Sequence, residues 1–202
     1  MIIFIFGDSI TEGLWDSKGG WADRLKAYVQ AEEVKSGIKN YHEVYNLGID
    51  GNMTKDIVKR FEVETQARLW PEEDYAFIFA TGTNDTLHRK KDELVSTPEQ
   101  YQAELHKLTE LTKRHSPRIL FIDLLPVDES RTNPIESSSS GKCYTNDRIK
   151  LFNQTLYAHC DANSLTCVKV SDEYLKKGYK GLLTDGIHPN DTGHELIFNL
   201  KL

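Results

Sequence analysis

The 202-residue sequence lacks any long apolar run at its start: Met1 to Phe6 are apolar, but the run stops at Gly7-Asp8 and no basic stretch precedes it. That is too short for a membrane span or for the apolar part of a secretion signal, so no stable membrane association is expected and the run reads as a buried first strand. Cysteine is scarce. Cys143, Cys160 and Cys167 form no Cys-x-x-Cys pair, and an odd count fits reduced thiols in a cytoplasmic protein better than a secreted disulfide framework. No Pro/Gly-rich linker divides the chain, which predicts one domain over residues 1–202. The net charge is −6 and the basic residues are scattered, so neither nucleic acid nor an anionic membrane is an expected partner. Lys90-Lys91 and Lys176-Lys177 lie beside acids and read as solvated surface. His42, His88, His106, His115, His159 and His194 show no metal-ligand spacing, so no metal and no cofactor is expected.

What is present suffices for a core, since 39% of residues are apolar and 10% aromatic. Short runs rich in Ile, Val and Phe alternate with amphipathic stretches, the pattern of a parallel sheet with helices on both faces. Strands are predicted at about Met1 to Phe6, Glu43 to Leu47, Asp74 to Ala80, Arg118 to Leu124 and Thr166 to Val170. Helices are predicted from Trp21 to Ser36, from Asn52-Met53-Thr54 to Gln66, from Thr97-Pro98 towards His115, from Thr145 to Asn163, and from Asn190 or Asp191 to Leu200. The segment Pro126 to Gly141, with Ser137 to Ser140, reads either as a surface loop or as a lid facing the substrate. Trp15 and Trp21 flank the first loop, with packing as their expected job and an acyl-pocket wall as the alternative.

In open α/β sheets ligands bind beyond the carboxyl ends of the strands, where the strand order reverses. After the first three strands come Gly7 to Gly13, Gly48 to Asn52 and Thr81 to Asp85, all polar and glycine-bearing. In the flavodoxin-like order 2-1-3-4-5 these loops lie side by side, and Ser9, Gly51 and Asn84 converge on one cleft. That suits acyl transfer: a serine hydroxyl needs a base, and a tetrahedral oxyanion needs preorganised donors. The N–H groups of Ser9 and Gly51 and the amide of Asn84 are candidate donors. Asp185-Gly186-Ile187-His188-Pro189 offers the base and its orienting carboxylate, with a turn through Gly186 bringing Asp185 to Nδ1 of His188 and leaving Nε2 for Ser9.

Each fragment recurs by chance, but their joint order is specific. In Gly7-Asp8-Ser9-Ile10, Asn46-Leu47-Gly48-Ile49-Asp50-Gly51, Gly82-Thr83-Asn84-Asp85 and Asp185-Gly186-Ile187-His188-Pro189 the chain resembles the GDSL/SGNH hydrolase family, over nearly its whole length. The resemblance implies a three-layer α/β/α fold and metal-independent hydrolysis of a small-molecule ester through an acyl-enzyme. It makes Ser9 the nucleophile, Asp185 and His188 its triad partners, and Ser9, Gly51 and Asn84 the oxyanion hole. Ile10 stands where the family name has leucine and is expected to pack inward. Gly48 is a rival donor, though register favours Gly51.

Plainer readings exist for each piece. Ser9 with Glu12 could form a capping box, Asn84-Asp85 and Asp185-Gly186 could be turn chemistry, and Asp8 is expected to accept backbone N–H groups rather than react. The same strand order also serves non-catalytic receiver-type signalling and flavin-binding modules. A receiver would want paired acids after the first strand, and Asp8, Asp85 and Lys169 echo its pattern imperfectly; neither rival explains Asp185-x-x-His188. Acetylated sugars, short-chain esters, thioesters and lysophospholipids all remain open as substrates, because loops 10–20, 86–96 and 126–145 carry no legible signature.

Overall fold

The computed structural model describes residues 1–39, 41–89 and 93–200, so the Lys90-Lys91 pair lies outside the described residues. Five parallel strands, β1 (Ile2–Gly7), β2 (Glu43–Gly48), β3 (Tyr75–Ala80), β4 (Ile119–Ile122) and β5 (Thr166–Val168), form one sheet in the order β2-β1-β3-β4-β5. Side chains alternate across this sheet because the pleat has a period of two. From β1, Ile2, Phe4 and Phe6 enter one core layer, while Ile5 enters the other. Phe77 and Phe79 of β3 repeat the pattern with Ile78 opposed, as do Ile119 and Phe121 of β4 with Ile122 opposed.

Helices cover both layers, giving three layers, α/β/α. On the first face lie α3 (Thr54–Gln66), α4 (Pro98–Lys113) and α6 (Asn146–Asn163), contributing Ile57 and Phe61, Tyr101 and Leu105, and Phe152 and Leu156. This layer is aromatic: the rings of Phe4 and Phe77 stack at 5.0 Å, and Phe79 meets Phe121 at 5.2 Å. On the second face lie α2 (Gly20–Ser36), α7 (Val170–Lys176) and α8 (Asp191–Asn199), with Trp21, Val170, Tyr174 and Ile197 buried. Helix α4 starts as expected, with Thr97 Oγ1 accepting from Gln100 N at 3.3 Å and Gln100 Oε1 accepting from Thr97 N at 3.0 Å.

Several boundaries differ from the sequence reading. Strand β5 stops at Val168, because Val170 and Tyr174 lie one helical turn apart and α7 buries both. Two short helices were not foreseen, α1 (Ser9–Glu12) and α5 (Glu129–Thr132), nor was a hairpin pairing His88–Arg89 with Glu93–Leu94. The 126–141 segment is anchored at a few points and otherwise open: Val127, Thr132 and Gly141 are buried, whereas Ser130, Arg131, Asn133, Pro134 and most of residues 136–140 are exposed. All three cysteines are free thiols, and no helix among the described residues is long and apolar enough to cross a membrane.

Candidate active site

The sheet's registry levels the three loops that carry the candidate residues. Gly7 pairs with Gly48 on one side and with Ala80 on the other, so β1, β2 and β3 end side by side where the strand order reverses. From Gly7 the chain turns at once into α1. Asp8 is its N-cap, its Oδ1 accepting the Ile10 N–H at 3.0 Å, and Ile10 packs into the second core layer. Ser9 is therefore the first helical residue and not the cap, which corrects the capping-box alternative. Glu12 does not reach back along α1; its Oε2 accepts the Asp50 N–H at 2.8 Å and ties the first loop to the second. Ser9 N–H, at the start of α1, has no partner within the helix.

In the second loop the Gly48 position is one of close approach: a Cβ there would meet the Glu12 backbone N at 2.2 Å. Its N–H already donates to Asn46 Oδ1 at 3.0 Å, so Gly48 is a packing residue. Asn52 N donates to Ile49 O at 3.1 Å, closing a turn in which Gly51 adopts φ +73°. That left-handed position suits glycine, and its N–H takes no part in the turn's own hydrogen bond. In the third loop Asn84 Nδ2 donates to the Asn52 carbonyl at 3.1 Å, while Asn84 Oδ1 accepts from the Tyr144 hydroxyl at 3.0 Å. Asp85, beside it, is buried and accepts from both the N–H and the hydroxyl of Thr54, at 2.9 and 3.1 Å, tying the start of α3 to this loop.

The last loop brings the chain's far end to the first. His188 Nε2 lies 2.8 Å from Ser9 Oγ, and Nδ1 lies 2.6 Å from Asp185 Oδ2. A carboxylate can only accept, so Nδ1 carries the proton and Nε2 faces the serine as the basic nitrogen. The turn is held through its backbone groups: Asp185 Oδ1 accepts the N–H groups of Ile187 and His188 at 3.0 and 2.9 Å, and Gly186 O accepts from Asp128 N at 2.8 Å. Burial pushes the Asp185 carboxyl up, but the His188 ring and the two N–H groups outweigh it and hold it well below the usual carboxylate range. Asp185 is thus anionic wherever the protein is folded at ordinary pH.

Arg60 and Tyr144 contribute to this site without any signal in the sequence, and Trp15, expected to pack or to wall an acyl pocket, does something else. Trp15 is 58% exposed rather than packed, adopts φ +67°, and donates from Nε1 to Asp185 Oδ2 at 3.2 Å; Trp21, by contrast, is buried in the core. Arg60 donates from Nε to Asn52 Oδ1 at 2.9 Å and from Nη2 to Leu47 O at 2.7 Å, bracing the second loop from α3. Tyr144 reaches Asn84 from the 126–145 segment. None sits in a motif, and the left-handed backbone at a tryptophan is visible only in three dimensions. Among the described residues no group of three or more His, Cys, Asp or Glu side chains is arranged to hold a metal ion.

Burial behind the nucleophile has a consequence for stability. Desolvation pushes Asp8 up to about 7 from its ordinary value of 3.8, against the bond from Ile10 N–H and the nearby His188. The folded state therefore holds a proton between about pH 4 and pH 7 that the unfolded state releases, so this group's contribution weakens as pH rises through that window. Asp8→Asn keeps an acceptor for Ile10 without the charge. It is expected to raise Tm by about 5 °C at pH 8 and to change it little at pH 4. Melting curves at the two pH values check this, and a shift of equal size at both rules out the ionisation as its cause.

The chain matches the model of the GDSL-like lipase/acylhydrolase family over residues 5–196. Its fold is similar to that of a lipase/acylhydrolase from Enterococcus faecalis, with TM-score 0.76 and 21% identity, covering 98% of this chain and 92% of that one. It is similar also to the acetyl xylan esterase AlAXEase (TM-score 0.74, 18% identity, 99% and 97% covered). The acetylxylan esterase Axe2 from Geobacillus stearothermophilus gives TM-score 0.73 at 18% identity, with 98% and 91% covered. No curated protein matches it in sequence.

Proposed function

This chain belongs to the GDSL-like lipase/acylhydrolase family, and from that premise we propose that it is a carboxylic ester hydrolase working through an acyl-enzyme on Ser9. The observation that carries the reading is the line from Ser9 Oγ through the His188 ring to Asp185, with contacts of 2.8 and 2.6 Å, the first of which joins opposite ends of the chain. As Ser9 Oγ attacks the ester carbonyl, its proton passes to His188 Nε2, and Asp185 steadies the imidazolium. Charge developing on the carbonyl oxygen is met by the Ser9 and Gly51 N–H groups and the Asn84 amide. Collapse releases the alcohol, which takes the proton from His188. Water, deprotonated by the same ring, then attacks the acyl-serine and frees the acid.

On the substrate, the reading is an ester of a short acyl group with a polar alcohol, the acetyl case foremost. Two of the similar folds belong to proteins described as acetyl xylan esterases. A cleft of about 550 Å³ adjoins Asp185, and Ser130, Arg131, Glu136 and Ser137 line it together with the apolar Pro134, Ile135 and Ile187, so its polar side offers hydrogen-bonding groups to a hydroxyl-bearing partner. The test is labelling by a fluorophosphonate probe with peptide mapping, followed by a p-nitrophenyl series from acetate to octanoate alongside acetylated xylan and acetyl-glucosamine. Label on Ser9 and a preference for acetate are expected. No label, or label on another residue, sinks the hydrolase reading; a preference for octanoate sinks the substrate class alone.

A further inference from the structure

We propose that Tyr144 is a positioning residue for the oxyanion hole, its hydroxyl holding the Asn84 amide in the one orientation that presents an N–H to the reacting carbonyl oxygen. The inference rests on the reading of Asn84 as an oxyanion donor. A free asparagine amide rotates over a broad, nearly two-fold torsion, and turned about it would offer an oxygen to a developing negative charge. Two contacts prevent that here. The Asn52 carbonyl, which can only accept, takes one N–H of Asn84 Nδ2 at 3.1 Å, so the nitrogen must face that side. The Tyr144 hydroxyl donates to Asn84 Oδ1 at 3.0 Å from the other side. With both ends of the amide occupied, the second N–H is left in a fixed direction.

The hydroxyl is itself well held. Tyr144 is buried, its N–H donates to Thr132 O at 2.9 Å, and Thr132 Oγ1 donates back to Tyr144 O at 2.9 Å. The preceding Cys143 pairs with His88 in both directions, N–H to O at 2.8 and 3.1 Å, which docks this segment against the loop that follows Asn84. Burial, with Asp8, Asp50 and Asp185 nearby, pushes the phenol well above its ordinary range, so it stays a donor. Donation into the amide oxygen also polarises the opposite N–H, strengthening it towards an oxyanion. The same amide grips Asn52, next to Gly51, and Arg60 Nε braces Asn52 Oδ1 at 2.9 Å. Tyr144, Asn84, Asn52 and Arg60 therefore form one connected series that contains one candidate donor, Asn84, and adjoins a second, Gly51, along the chain.

The Tyr144 ring also packs in the first core layer, so the experiment must separate hydroxyl from ring. Hydrolysis of p-nitrophenyl acetate is measured for the wild type, Tyr144→Phe, Asn84→Ala and the double variant, with Tm for each. Tyr144→Phe is expected to lower kcat about five- to tenfold with KM within about twofold and Tm within about 3 °C. Asn84→Ala is expected to cost about 10²- to 10³-fold. In that background, with no amide left to position, Tyr144→Phe should cost less than about twofold. An equal loss in both backgrounds, or no loss from Tyr144→Phe, overturns the positioning role while leaving the hydrolase intact. A wild type that neither labels nor turns over overturns both.

Discussion

Ser9→Ala is expected to lower the turnover of p-nitrophenyl acetate by about 10⁴-fold or more and to abolish fluorophosphonate labelling, in a protein whose Tm stays within about 3 °C of the wild type. The size follows from the role: without Oγ no acyl-enzyme forms, and the remaining donors act only on direct attack by water. The small stability effect follows from the contacts. Ser9 is buried at the start of α1, where alanine is well tolerated, and its hydroxyl bonds to His188 Nε2 rather than to the fold. Asp8, not Ser9, caps the helix, so the helix start survives the change. A loss under tenfold in a folded variant, with the label retained, would assign the chemistry to another residue.

His188→Ala is expected to cost a similar factor, about 10⁴-fold, and the double variant with Ser9→Ala to be no worse than either alone. In the proposed mechanism nucleophile and base act as one unit, so removing the second part after the first should take away nothing further. The loop should keep its shape, because none of its other bonds uses the imidazole ring. Asp185 Oδ1 still accepts the two N–H groups, Thr184 N still donates to the carbonyl of residue 188 at 2.8 Å, and Trp15 still reaches Asp185 Oδ2. Steady-state kinetics of the three variants, each with a melting curve, checks this. Losses that multiply would mean that serine and imidazole act independently, and the relay between them would be wrong.

Much of this arrangement is legible before folding. The apolar runs around Phe4, Phe77 and Phe121 announce a buried parallel sheet, because residues on both faces of such a strand must be apolar. Thr97-Pro98 announces a helix start, since both a cap and a fixed φ are local properties. The predicted last strand runs on to Val170 and no helix is predicted over Val170–Lys176, because the apolar positions of that stretch are too few to establish a period of 3.6. The 126–145 segment was opaque for another reason. Its polar composition describes the exposed tip and conceals the buried Tyr144 at its base.

The sequence by itself determined which residue types stand where chemistry is possible: a serine after the first apolar run, an asparagine after the third, and an aspartate three residues before a histidine. These are adjacent-residue patterns, and local backbone rules turn them into loops at strand ends. Tertiary structure alone decided what holds those groups in place. The bond from Trp15 to Asp185 spans 170 positions and that from Tyr144 to Asn84 spans 60. Such pairs meet only because the registry of β1 with its neighbours levels the loops and the helices bring distant segments over them, and no periodicity along the chain encodes a contact of that kind.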